Sequence, residues 1–122
     1  MTNEEAIAAN ADIVKKTFAE QDLAFDERAI EWIDEYIERN RERWDEAKRA
    51  SLSNMLGSFL GECIRAKYGG IWEMTENGLS ISFDDGNGVF PFNKINKHIA
   101  NGSDDSIASF YSTIGVLRSV QL

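Results

Sequence analysis

The chain has 122 residues, a length that one domain fills and that can bury a core without disulfides or a metal. Hydrophobic residues make up 43%, charged residues 28% and aromatic residues 11%, which excludes a disordered chain and fits an ordinary globular one. The net charge of −8 repels phosphate and anionic lipid, so nucleic-acid and membrane-surface partners are disfavoured; it suits a basic protein partner, or solubility alone.

The lone Cys63 excludes an intrachain disulfide and a cysteine-based zinc framework, and the lone His98 excludes clustered histidine ligands. No metal or cofactor is expected. The N-terminal stretch MTNEEAIAANADIVKK is polar and acidic, unlike a secretory signal. No run approaches the roughly 20 apolar residues that span a bilayer. A cytoplasmic protein is therefore expected, and the sequon Asn101-Gly-Ser103 is a chance match.

Residues 3–21 read as a first helix, with Asn3 as cap and Glu4 and Glu5 near its positive end. Its stripe of Ile7, Ala11, Val14 and Phe18 is thin, which predicts a loosely attached segment over 1–22 of a single domain spanning 1–122. Asp26 then caps a second helix over 27–44, whose apolar arc holds Ala29, Ile30, Trp32, Ile33, Tyr36, Ile37 and Trp44. Acidic residues cover much of its remainder. Glu35 and Arg39 attract at i, i+4, whereas Glu38 and Glu42 repel.

A third helix is predicted over 46–68, continuous with the second or kinked near Asp45. Leu52, Leu56, Phe59, Leu60, Cys63 and Ile64 make it the most apolar and hence the central one, with Met55 at one edge. Gly57 and Gly61 each cost roughly 1 kcal/mol there relative to alanine, so a close-packed neighbour is expected to offset them. Gly69-Gly70 ends the helix.

Ile71–Thr75 and Leu79–Phe83 form a hairpin about Asn77-Gly78, with Trp72 and Met74 buried on one strand and Leu79, Ile81 and Phe83 on the other. Asp84-Asp85-Gly86-Asn87-Gly88 reads as a plain turn, because counting from Asp85 a calcium loop needs an oxygen ligand at the fifth position, held by Val89, and a bidentate Glu at the twelfth, held by Asn96. Val89-Phe90 adds a short third strand, stopped by Pro91. A fourth helix follows over 92–100, with Phe92, Ile95 and Ile99 inward. A fifth, over 104–118, is capped by Ser103 or Asp104, with Ile107, Phe110, Tyr111, Ile114, Leu117 and Leu122 on its apolar side. The fold class is α+β: about five helices on a small antiparallel sheet of two or three strands.

Leu56-Gly-Ser-Phe-Leu-Gly-Glu62, Gly69-Gly-Ile-Trp72, Phe90-Pro-Phe-Asn-Lys94 and Asn101-Gly-Ser-Asp-Asp-Ser-Ile107 with Phe110-Tyr111 occur in an order that resembles a family of small bacterial domains of unknown function. The resemblance covers roughly residues 25–112. It implies a cytoplasmic bacterial protein and no particular chemistry. Size and charge alone also resemble small acidic proteins that neutralise toxins.

No catalytic residue stands out. Cys63 lies on the apolar face of its helix and His98 reads as a surface residue flanked by Lys94 and Lys97. The carboxylate pairs sit at helix starts and turns, where capping explains them. An enzyme is accordingly the least favoured class. The leading expectation is a non-enzymatic protein-interaction domain, immunity-like or regulatory, that meets a basic partner through Glu31, Asp34 and Glu38 or through the hairpin rim. The alternative is a small anionic-ligand-binding domain using Asn93, Lys94 and Lys97 beside Trp72, unless Asp84, Asp85 or Glu62 neutralises the lysines.

Overall fold

Thr2, not Asn3, starts the first helix. Its hydroxyl accepts from the Glu5 backbone N–H at 3.1 Å while the Glu5 carboxylate accepts from the Thr2 N–H at 3.0 Å, a complete capping box. A computed structural model describes residues 1–120, the last two by backbone alone. Helix α1 (Asn3–Thr17) is shorter than the sequence suggests, because a separate 3-10 turn over Ala19–Gln21 and a left-handed Asp22 (φ 51°) follow it. Asp26 caps α2 (Glu27–Asn40) through Ala29 N–H at 3.0 Å, as expected. The second and third helices are not continuous. A 3-10 turn over Arg41–Arg43 and an extended Trp44 separate them, and Asp45 caps α3 (Glu46–Tyr68) through Lys48 N–H at 2.8 Å.

Strands β1 (Ile71–Thr75), β2 (Gly78–Ser82) and β3 (Gly88–Val89) form an antiparallel sheet in sequence order. The register pairs Trp72 with Ile81, Met74 with Leu79, and Ile81 with Val89, so these side chains share a face. The turn is Glu76-Asn77. Gly78 opens β2 with φ 111°, and it rather than Asn77 takes the positive dihedral. Helix α4 (Pro91–Asn101), a 3-10 turn over Gly102–Asp105 and α5 (Ile107–Val120) complete the described residues. Among the described residues, five α-helices and a three-stranded sheet make the α+β class explicit.

Helix α3 is the hub. Helix α1 lies along it, burying Ile7, Ala11 and Val14, and α4 packs beside it. Leu56, Phe59, Leu60, Cys63 and Ile64 are buried along α3. Its glycines are where neighbours come closest. A Cβ on Gly57 would enter the Phe92 ring, and one on Gly61 would enter the Trp72 ring. Close packing thus offsets the helical cost of both residues, as that cost predicts. Two expected core residues lie outside it: Met74 is 62% and Leu117 59% exposed. Met74 faces the correct side but stands one pair from the hairpin tip, opposite a half-buried Leu79. Leu122, expected on the stripe with Leu117, lies outside the described residues.

Candidate functional site

Asn93, Lys94 and Lys97 do come together. Pro91 at the first position of α4 gives up no helical hydrogen bond, and neither a side-chain cap nor an acid occupies the first turn. With Gly88, Val89, Phe90 and Phe110 the three polar residues line a depression of about 260 Å³. Lys94 Nζ lies 3.2 Å from Asp105 Oδ1 and 5.8 Å from the centre of the Phe110 ring. Its counter-ion is therefore neither Asp84, Asp85 nor Glu62. Asp85 is held by Arg118 at 2.7 Å, and Glu62 by Arg65 at 3.0 Å. Asp105 takes the role because the 3-10 turn after α4 folds back along that helix. The Asn101 amide first, and then Lys94, hold the Asp105 carboxyl below its ordinary range.

Trp72 stands apart from this depression. Its ring covers Gly61 and lies 5.6 Å from Phe92, and its indole N–H donates to Glu62 Oε2 at 3.1 Å. The side chain is committed to packing α3, β1 and α4 together.

The acidic residues of α2 divide. Glu31 is exposed. Asp34 turns inward, and its Oδ2 accepts from Ser106 Oγ at 2.6 Å and from Ala108 N–H at 2.9 Å. It thereby caps α5 from another helix, and Ser106 itself accepts from Ser109 N–H at 3.2 Å. This pair replaces the Ser103 or Asp104 cap expected from the sequence. Glu38 Oε1 lies 2.7 Å from His98 Nε2.

His98 is fully buried, which corrects its reading as a surface residue. It shares the inward arc of α4 with Ile95 and Ile99, three positions before it and one after. Ile107 N–H donates to Nδ1 at 3.3 Å, so the ring proton sits on Nε2 and is donated to Glu38. The imidazole ties α2, α4 and α5 together and has no open side for a substrate.

Cys63 is likewise buried, and burial pushes its thiol pKa well above the ordinary value, the opposite of an activated nucleophile. Among the described residues no group of three or more His, Cys, Asp or Glu side chains could hold a metal ion. Among the described residues no helix is long and apolar enough to cross a membrane.

Strand β1, one of the two edge strands, carries large exposed apolar residues. Ile71 is 61% exposed and Met74 62%, on opposite faces of β1. Gly70, Ile71, Glu73, Ser82, Phe83, Asp84 and Gly86 line a trough of about 450 Å³ at the end of the hairpin away from its tip. Among the described residues the Glu73 and Asp84 carboxylates have no hydrogen-bond or ion-pair partner.

In comparisons with known proteins, no family model, no curated protein and no solved structure matches the chain. The resemblance to small bacterial domains rests on its motifs alone.

Proposed function

We propose that the protein is a non-enzymatic interaction domain, immunity-like or regulatory, that captures a basic protein partner in a bacterial cytoplasm. The observation that carries this reading is the edge strand β1: exposed Ile71 and Met74 flank Glu73, unpaired among the described residues, on a chain of net charge −8. Exposed apolar groups beside unpaired carboxylates favour a partner that offers apolar contact and positive charge together. The inward commitments of Cys63 and His98 argue in the same direction, since neither presents a reactive atom to solvent. Of the α2 acids, Glu31 remains available to such a partner, whereas Asp34 and Glu38 have structural duties. The test is affinity capture with the tagged full chain at low salt. A stoichiometric basic protein, released as salt rises, is expected. Absence of any stoichiometric basic protein would sink the reading.

A second reading is kept for one observation: the first turn of α4 has no side-chain cap and no acid, and Asn93, Lys94 and Lys97 stand beside it. Free N–H groups and positive charge there suit a small anion. Trp72 then supports the site only through Phe92. Phosphate or citrate should raise the melting temperature of the wild type and not of a Lys94→Ala, Lys97→Ala variant. Equal responses from both proteins would reject the site.

A further inference from the structure

Resting on the interaction reading, we propose that β1 receives an extended basic segment of the partner as a fourth strand of the sheet. The order β1-β2-β3 leaves β1 with a neighbour on one side only. Alternate residues of such a strand aim N–H and C=O groups away from the sheet, a ready template for another strand. Edge strands are commonly protected by lysine, proline or a bulge. Strand β1, Ile71-Trp-Glu-Met-Thr75, has none of these, and it pairs with β2 without interruption at all five positions.

The chemistry of the edge selects the occupant. Glu73 is the middle residue and the one charged residue of β1. A second copy pairing antiparallel about that centre would set Glu73 against Glu73, and like charges directly opposite are destabilising. A lysine or arginine at that position faces Glu73 instead, with Asp84 across the same trough. Residues on either side of it in the incoming strand point to the other face, where Met74 is exposed. The segment that fits is therefore an alternation of basic and apolar residues.

The probe is a blocked octapeptide alternating lysine and valine, titrated calorimetrically into the full chain. Binding is expected, weakened about tenfold or more when alternate peptide nitrogens are methylated, because that removes the strand's donors and leaves its charge. Charge reversal at the edge, Glu73→Lys with Asp84→Lys, should weaken it comparably. Glu20→Lys with Glu31→Lys makes the same change of net charge elsewhere and should have less than half that effect. No binding, binding indifferent to methylation, or equal losses from the two charge reversals would each overturn the proposal. Capture of a stoichiometric partner equally by wild type and by the Glu73→Lys, Asp84→Lys variant would reject the edge and leave the interaction reading standing. Failure of the wild type to capture any would remove the reading itself.

Discussion

The hydroxyl of Tyr111 lies in the core, and among the described residues it makes no hydrogen bond. A buried hydroxyl left unpaired costs about 1–3 kcal/mol. Tyr111→Phe is therefore expected to stabilise the protein by about 1 kcal/mol, read as a rise of several degrees in melting temperature. Burial also pushes the Tyr111 pKa up to about 12. Above the ordinary tyrosine value near 10 the unfolded chain loses this proton while the folded chain keeps it. Stability from this group is whole below roughly pH 10 and is lost as pH rises toward 12. The phenylalanine variant should show a shallower alkaline limb in urea midpoints, and an unchanged limb would contradict the assignment. At this scale the sequence was hardest to read at His98. Lys94 and Lys97 on the same helix are polar, but Ile95 and Ile99 beside it are core, and the helix period governs burial. The carboxylate that accepts its proton lies 60 positions away on α2, a separation that no local pattern reports.

Between elements, close approach replaces side-chain bulk. Gly61→Ala gains helix propensity of roughly 1 kcal/mol but drives a methyl into the Trp72 ring. Overpacking of that kind costs about 1–3 kcal/mol, so net destabilisation by chemical denaturation is expected, with loss of the Trp72 bond to Glu62. A variant as stable as wild type would mean that the ring moves freely. The capping of α5 is a second such device. Asp34→Ala removes the acceptor of both Ser106 Oγ and Ala108 N–H and should cost about 1–2 kcal/mol, whereas Glu31→Ala, one turn earlier and exposed, should be nearly neutral. Comparable losses from the two would show that Asp34 is not a cap. Arginine works similarly. Arg41 donates to the Ile99 and Ala100 carbonyls, both at 2.9 Å, and holds the end of α4. Local capping was legible in Asp26, while these cross-helix caps were not, because donor and acceptor are more than 50 positions apart.

Over the whole molecule the acid balance sets the response to pH. Hydrogen bonds from the Thr2 N–H, the Asn87 N–H and the Asn101 amide hold Glu5, Asp85 and Asp105 respectively below their ordinary pKa values. Each carboxylate stays ionised in the folded chain at pH values where the unfolded chain binds a proton. Their stabilisation is complete above the ordinary carboxylate range, about pH 4, and is lost as pH falls through the folded values. Asp105→Asn should flatten the acid limb of the urea midpoint against pH, and a limb parallel to wild type would count against this origin.

The sequence by itself determined which segments are helix and which are strand, because the 3.6-residue and two-residue periods and the cap at Asp26 are local signals. It also announced through Gly57 and Gly61 that something would press on the third helix. Only the tertiary structure decided that Phe92 and Trp72 are what press there, and that Asp34 and Glu38 face inward. It likewise decided that β1 ends as an open edge with Met74 in solvent. Those outcomes depend on which faces meet across long chain separations, and periodicity specifies a face without naming its neighbour.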